Sequence, residues 1–254
     1  MPPRYHSRVA RTTPGSPFLT NVSLREERCE PGVFPFDLPI VRDGLSIALT
    51  TPVTFLVGEN GSGKSTLLEA LAWCLGFGAQ GGSRDHQFDA GVDGHALGRA
   101  LKLVWRQRTT EGFFLRAETF YNLSTYLETA GSSFSRYGGA SFHVKSHGEA
   151  FLALFQNRFE DGFYILDEPE AALSPQRQLA FLNILHQLTA PRIAQFIIAT
   201  HSPMLLAFPG ATVLSLDGGS IQPVDYRDTE HYRITREFLE SPERYFRHLF
   251  DWHQ

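Results

Sequence analysis

One stretch restricts the fold of this chain more than any other. Five apolar or β-branched residues, Val53–Val57, run into Gly58-Glu59-Asn60-Gly61-Ser62-Gly63-Lys64-Ser65-Thr66, after which Leu67, Leu68, Leu71, Ala72 and Leu75 recur on one helical face. The first run is short enough for a buried strand, and the loop opens directly into the helix. The loop fits GxxxxGK[ST], whose glycines let the backbone curl until successive N–H groups point inward. The helix start adds about half a positive charge to that concavity. Such a cradle, Glu59, Asn60, Gly61, Ser62, Gly63, Lys64, Ser65 and Thr66, suits phosphate oxygens. Lys64 is placed to reach β- and γ-phosphates, and the Ser65 hydroxyl to ligate Mg²⁺. A glycine-rich turn that only caps a helix is the bland alternative, and the strand and helix around it argue against that.

Elsewhere the pattern alternates strand with helix. Strands are expected at Leu19–Glu26, Leu45–Leu49, Phe163–Leu166, Ile193–Thr200, Thr212–Leu216 and Ser220–Val224. Lys102–Gln107 and Phe113–Phe120 read as a strand pair around Thr109–Gly112. Helices are expected near Ser146, from Ser174–Pro175 to about Leu188, and in two amphipathic segments split by Ser241–Pro242. Gly76 to Gly98 carries seven glycines and reads as one long loop. Its Asp85, His86, Asp89, Asp93 and His95 are no more than a polar loop collects without a metal. The expected architecture is α/β: a mainly parallel central sheet flanked by helices, with an antiparallel β portion near the N-terminus. Residues 1–17, with Arg4, Arg8 and Arg11 and no acid, read as a flexible leader. Residues 18–254 read as one domain with a helical and loop insertion at about 77–150.

Three further motifs carry chemistry. Phe163-Tyr164-Ile165-Leu166 delivers Asp167 and Glu168 at the end of a buried strand, a costly arrangement unless a cation or substrate uses them. Asp167 is the expected Mg²⁺ residue, and Glu168 the expected base for an attacking water. Ala199-Thr200-His201-Ser202-Pro203 ends another apolar strand, placing His201 where ligands bind in α/β sheets. Ser146-His147-Gly148-Glu149 reads as a capping box, Ser146 with Glu149 three residues on. A capped N-terminus with a glycine is also a second phosphate-binding surface, one that can serve a partner's nucleotide.

Taken in order, these motifs resemble the ABC-class ATPases, over about residues 19 to 250. "LDEPEAALSPQRQ" (Leu166–Gln178) and "ATHSP" resemble the stand-alone AAA-family ATPases related to SMC and OLD-type proteins more than transporter subunits. The resemblance implies a Walker A loop at Gly58–Thr66 and a Walker B strand at Phe163–Asp167. It further implies catalytic roles for Glu168, His201 and Lys64, ATP and Mg²⁺ as cofactors, and a helical signature region at Ser146, Gly148 and Glu149. It implies ATP hydrolysis in a head-to-tail homodimer. The signature departs from the family pattern, reading "KSHGE" where "LSGGQ" or "LSGGE" is expected. No glutamine clearly fills the Q-loop; Glu118 is the best positional candidate for that metal-side role, and Gln107 the weaker one. No heptad arm separates Walker A from the signature.

Composition bounds the remaining classes. A formal charge of −4 gives no general footprint for nucleic acid, although a DNA-processing or membrane partner is left open. The two cysteines, Cys29 and Cys74, form no metal motif and suit a reducing, cytoplasmic compartment. No apolar run approaches the roughly 20 residues a membrane span needs. Two roles differ from plain hydrolysis: a nucleotide-controlled interaction module with an unidentified protein partner, and DNA-end or repair work. Phe34 and Phe36 are conceivable adenine contacts, with core packing the default. Core packing is also the default for Tyr232, Phe238, Leu239, Tyr245, Phe246, Leu249 and Phe250.

Overall fold

The computed structural model describes residues 15–78, 81–82, 95–118 and 147–250. Two sheets organise them. Strands β1 (Leu19–Leu24), β2 (Ser46–Ala48) and β4 (Leu101–Trp105) form an antiparallel sheet in the order β2-β1-β4. The second sheet runs β5-β6-β7-β3-β8-β9, from β3 (Val53–Val57), β5 (Gly112–Arg116), β6 (Gly162–Asp167), β7 (Ala194–Ala199), β8 (Thr212–Ser215) and β9 (Gln222–Pro223). All its pairings are parallel except β8–β9.

Every residue of β3, β6 and β7 is buried. Near-continuous apolar runs of this kind belong to parallel strands covered on both faces. Alternation divides their side chains between two layers. Phe55, Tyr164, Phe196 and Ile198 face one core, shared with helices α4 (His147–Arg158) and α5 (Pro175–Thr189). Leu56, Ile165, Ile197 and Ala199 face the other, shared with α2 (Lys64–Leu75) and the antiparallel sheet. An aromatic ladder joins the end of α4 to the strands beneath it and α4 to α5. Phe159 stacks on Tyr164 with centroids 4.0 Å apart, Tyr164 stacks on Phe196 at 5.0 Å, and Phe155 meets Phe181 at 4.8 Å.

The sheets are tied by one polar side chain. Gln195, fully buried in β7, accepts from the Phe18 N–H at 2.6 Å and the Leu19 N–H at 2.9 Å through Oε1. Its Nε2 donates to the Leu19 carbonyl at 2.9 Å.

Several expectations need correcting. Lys102–Gln107 and Phe113–Phe120 do not form a hairpin. β4 pairs with β1 and β5 with β6, so the chain crosses between sheets where a local turn was expected. The stretch from Gly76 to Gly98 is not wholly loop, because α3 (His95–Ala100) begins inside it; Asp85, His86, Asp89 and Asp93 lie outside the described residues. Gly15–Pro17, assigned to the leader, are docked: Ser16 is buried, its N–H donates to the Arg192 carbonyl at 2.8 Å, and Arg192 Nε donates to the Ser16 carbonyl at 2.8 Å. Residues 1–14 lie outside the described residues.

The largest departure is at the C-terminal end. Helices α7 (Glu230–Glu240) and α8 (Pro242–Leu249) follow the short α1 (Pro39–Arg42) and α6 (Pro203–Leu206) in the count, and neither buries a residue. Phe238, Leu239, Leu249 and Phe250 are exposed, and the aromatics mostly meet one another, as in the Phe246–Phe250 stack at 5.4 Å. The amphipathic pattern was real, but its apolar face is not turned into this core. Among the described residues, no helix is long and apolar enough to cross a membrane.

Replacing Gln195 by Leu removes two acceptor bonds and one donor bond in a dry setting, leaving the Phe18 and Leu19 backbone groups without partners. The expected loss of unfolding free energy is at least about 2 kcal/mol, measured by urea denaturation. A variant as stable as the parent contradicts this account of the joint.

Candidate functional site

One row of residues crosses the parallel sheet near its C-terminal edge. Arg116 pairs with Asp167, Asp167 with Ala199, Ala199 with Leu56, and Leu56 with Leu214. Each sequence motif leaves the sheet one or two residues beyond that row. Register therefore gathers the glycine loop, the two acids and His201 at a common edge.

In the loop, Gly63 caps α2 with φ 96°, a left-handed conformation, and a Cβ there would lie 2.8 Å from Ile40 Cδ1. Only glycine fits both demands. Lys64 is 5% exposed, and its Nζ donates to the Gly58 carbonyl at 2.6 Å and the Glu59 carbonyl at 2.9 Å. Burial lowers its pKa, opposed by the carboxylates of Glu168, Asp217, Asp167 and Glu170. The Ser65 hydroxyl donates to Asp167 Oδ1 at 3.3 Å, so the two expected Mg²⁺ ligands are adjacent.

Glu168 leaves β6 in a left-handed conformation, φ 50° and ψ 52°, with its N–H donating to the Ala199 carbonyl at 2.9 Å. A non-glycine residue held there costs about 1–3 kcal/mol and is typical of functional positions. His201 Nε2 lies 3.4 Å from Glu168 Oε1. Burial lowers the His201 pKa, and Lys64 and His231 push it the same way against Glu168.

These residues fit Mg²⁺ with a nucleoside triphosphate. Ser62 Oγ in the loop and His201 Nε2 beside Glu168 are buried without hydrogen-bond partners among the described residues, as expected of groups that a ligand completes. One hydroxyl and one carboxylate are also the sparse oxygen set with which Mg²⁺ keeps waters and phosphates. Among the described residues there is no richer cluster of His, Cys, Asp and Glu.

Several supporting side chains had no motif to mark them. Arg116 Nε donates to Asp167 Oδ2 at 3.1 Å, and its Nη2 donates to Glu69 Oε1 at 2.6 Å. Burial alone would lower its pKa, but Asp167 and Glu69 raise it further. Asp217 Oδ1 accepts from the Glu59 N–H at 2.8 Å and braces the outer limb of the loop. Glu170 Oε1 accepts from the His201 N–H at 2.6 Å. The Ser202 hydroxyl donates to Gln178 Oε1 at 2.6 Å, and Gln178 Nε2 donates to the Leu173 carbonyl at 3.2 Å. Only an arginine closing an apolar strand, beside the acidic one, could have hinted at Arg116.

The other expected residues stand as follows. Glu118 is exposed in the turn after β5, where Arg116 rather than Glu118 reaches Asp167; Gln107 follows β4 on the antiparallel sheet. Glu59, Asn60 and Gly61 are exposed, and Thr66 is half-buried in the first turn of α2. Ser146 lies outside the described residues. Gly148 is buried where a Cβ would lie 2.8 Å from the Ala172 carbonyl and 2.6 Å from Arg177 Nη1. Glu149 pairs with Arg177 Nη2 at 3.2 Å. Phe36 is a core residue, whereas Phe34 is exposed. A cavity of about 290 Å³ opens between Gly58, Glu59 and Asp217 on one side and Thr229, His231 and Glu237 on the other.

Glu170 supplies a pH test. Burial raises its pKa, more than the His201 and Thr200 hydrogen bonds lower it. A carboxyl whose folded pKa is raised binds its proton more tightly in the fold, so stability is lost as pH rises from the usual glutamate range through the raised value. Glu170→Gln keeps an acceptor for the His201 N–H and removes that loss. Its stability relative to the parent should be more favourable at pH 7 than at pH 4, in urea titrations at both; the reverse order refutes it.

Two family models match the chain. One, described as "AAA domain", matches residues 32–114, and another, "AAA domain, putative AbiEii toxin, Type IV TA system", matches residues 149–207. The first contains the glycine loop, and the second runs from Gly148's neighbour Glu149 through Asp167, Glu168 and His201. No curated protein matches. Among solved structures, the SMC head domain from Thermotoga maritima is 18% identical, covering 82% of this chain and 99% of its own, with a TM-score of 0.46. The structure of cbiO1 from Clostridium perfringens, part of the ABC transporter complex cbiONQ, is 17% identical, covering 82% and 91%, with a TM-score of 0.44. The two family models bear on the two halves of this edge, so the chain is similar to ATPases with AAA domains on both sides of the candidate site.

Proposed function

We propose that this ATPase cleaves Mg²⁺-ATP to ADP and phosphate in a head-to-tail homodimer. The observation that carries the reading is the single edge at which Ser65 meets Asp167 and Glu168 meets His201. Ser65 and Asp167 would hold Mg²⁺, which when bound offsets charge on the phosphates. Lys64 contributes a fixed positive charge to the same end. Glu168 takes a proton from water as its oxygen bonds to the γ-phosphorus and the bond to the β–γ bridging oxygen breaks. His201 donates from Nε2 to the γ-phosphate oxygens.

The partner copy enters through α4. None of the residues lining the cavity beside the loop comes from α4, whose start packs on Ala172 and Arg177 of its own chain. In this reading Ser146, Gly148 and Glu149 face the nucleotide of the second copy. Half a site positions and stabilises less, so turnover is slow until two copies meet.

A second reading, an ATP-driven interaction module, draws on the exposed apolar residues of α7 and α8. An unidentified protein would then be captured upon ATP binding, with little turnover.

Replacing Glu168 by Gln should lower phosphate release at least about 100-fold while ATP binding persists. With Mg²⁺-ATP, this variant should run as a dimer in size-exclusion chromatography with light scattering. Normal hydrolysis would remove Glu168 as the base, and a strictly monomeric variant would remove the two-copy site. Lys64→Ala should weaken ATP binding at least about 10-fold in calorimetry; unchanged affinity contradicts the phosphate cradle.

A further inference from the structure

His201 has a second neighbour that the reaction as described does not use. Its Nδ1 lies 2.8 Å from Nε2 of His231, with the ring planes at 85° and their centroids 4.5 Å apart. His231 sits in the first turn of α7, and that turn is held in place. Thr229, buried at the N-cap, donates to the Tyr226 carbonyl at 2.6 Å and accepts from the Tyr232 N–H at 3.4 Å. Tyr226 and Tyr232 meet edge to face at 5.3 Å.

Two ring nitrogens 2.8 Å apart share a single proton, which one ring donates to the bare nitrogen of the other. Were His201 the donor, its Nε2 would carry a lone pair facing the Glu168 oxygen 3.4 Å away, and would face phosphate oxygens in the same state. Both contacts would be repulsive. With His231 donating, His201 keeps its proton on Nε2, where a carboxylate and then a phosphate can accept it. The hydrogen bond on one ring nitrogen thus decides what the other can do.

We propose that His231 is a positioning residue for ATP hydrolysis: its Nε2–H fixes His201 in the Nε2-protonated tautomer and holds the ring toward Glu168. The inference rests on the role assigned above to His201.

Two measurements test it. The first needs no nucleotide: ¹⁵N-histidine NMR of the full chain, with the His201 ring assigned through His201→Ala. The parent should show a bare Nδ1 and a protonated Nε2 on His201. His231→Ala should convert this to a tautomer mixture, and His231→Gln, whose amide N–H can occupy the same position, should restore it. An unchanged His201 spectrum in His231→Ala overturns the proposal. The second is steady-state hydrolysis. His231→Ala should lower kcat about 10-fold with KM within about threefold, His231→Gln should recover most of the loss, and His231→Ala should cost nothing further in a His201→Ala background. Equal additional loss in that background overturns the link to His201. A parent protein that hydrolyses no ATP would instead defeat the reading of Glu168 and His201, leaving the tautomer measurement to decide on His231.

Discussion

Strand register is the constraint on which the site depends. Asp167, Ala199 and Leu56 lie side by side across β6, β7 and β3, so each strand delivers its polar successor at the same height. A shift of one residue in any pairing would exchange a strand's side chains between the two cores and carry its candidate site residue off the edge. The apolar residues that fill both faces of these strands are what forbid that shift. Phe55, Phe196, Ile165 and Ile197 contribute nothing chemical, yet they set where Lys64, Glu168 and His201 stand.

Around that edge, charge is balanced in layers. Lys64 lies among carboxylates, Asp167 is shared between a hydroxyl and a guanidinium, and Arg116 passes the connection on to Glu69 in α2. Buried charges of this kind are tolerable only when paired and hydrogen-bonded. The arrangement also ties the helix that follows the loop to the strand that carries the acids. Glu170 does comparable work on the other side, holding the backbone of His201 with one oxygen.

Much of this was legible in the chain itself, because phosphate-binding loops and acid-ended strands are local. The glycine loop, Asp167, Glu168, His201 and the parallel order of most strands could be read from residue type and spacing. The separate partners of β4 and β5 could not, since turn chemistry at Thr109–Gly112 is silent about which sheet the next strand joins. The C-terminal aromatics misled for another reason: an amphipathic period looks the same whether its apolar face meets the core or solvent. Asp217 and His231 had no signal at all, and Arg116 only its place at the end of an apolar strand. Each acts by meeting a distant residue, and only the register of β5, the turn after β8 and the start of α7 create those meetings.

The Gln195 amide bears on mechanics. Oily surfaces slide over one another at little cost, but a carboxamide gripping three main-chain atoms in the dry interior has a direction as well as a strength. The antiparallel layer is therefore keyed to β7, the strand that ends two residues before His201, and cannot swivel by small steps without rupturing that grip.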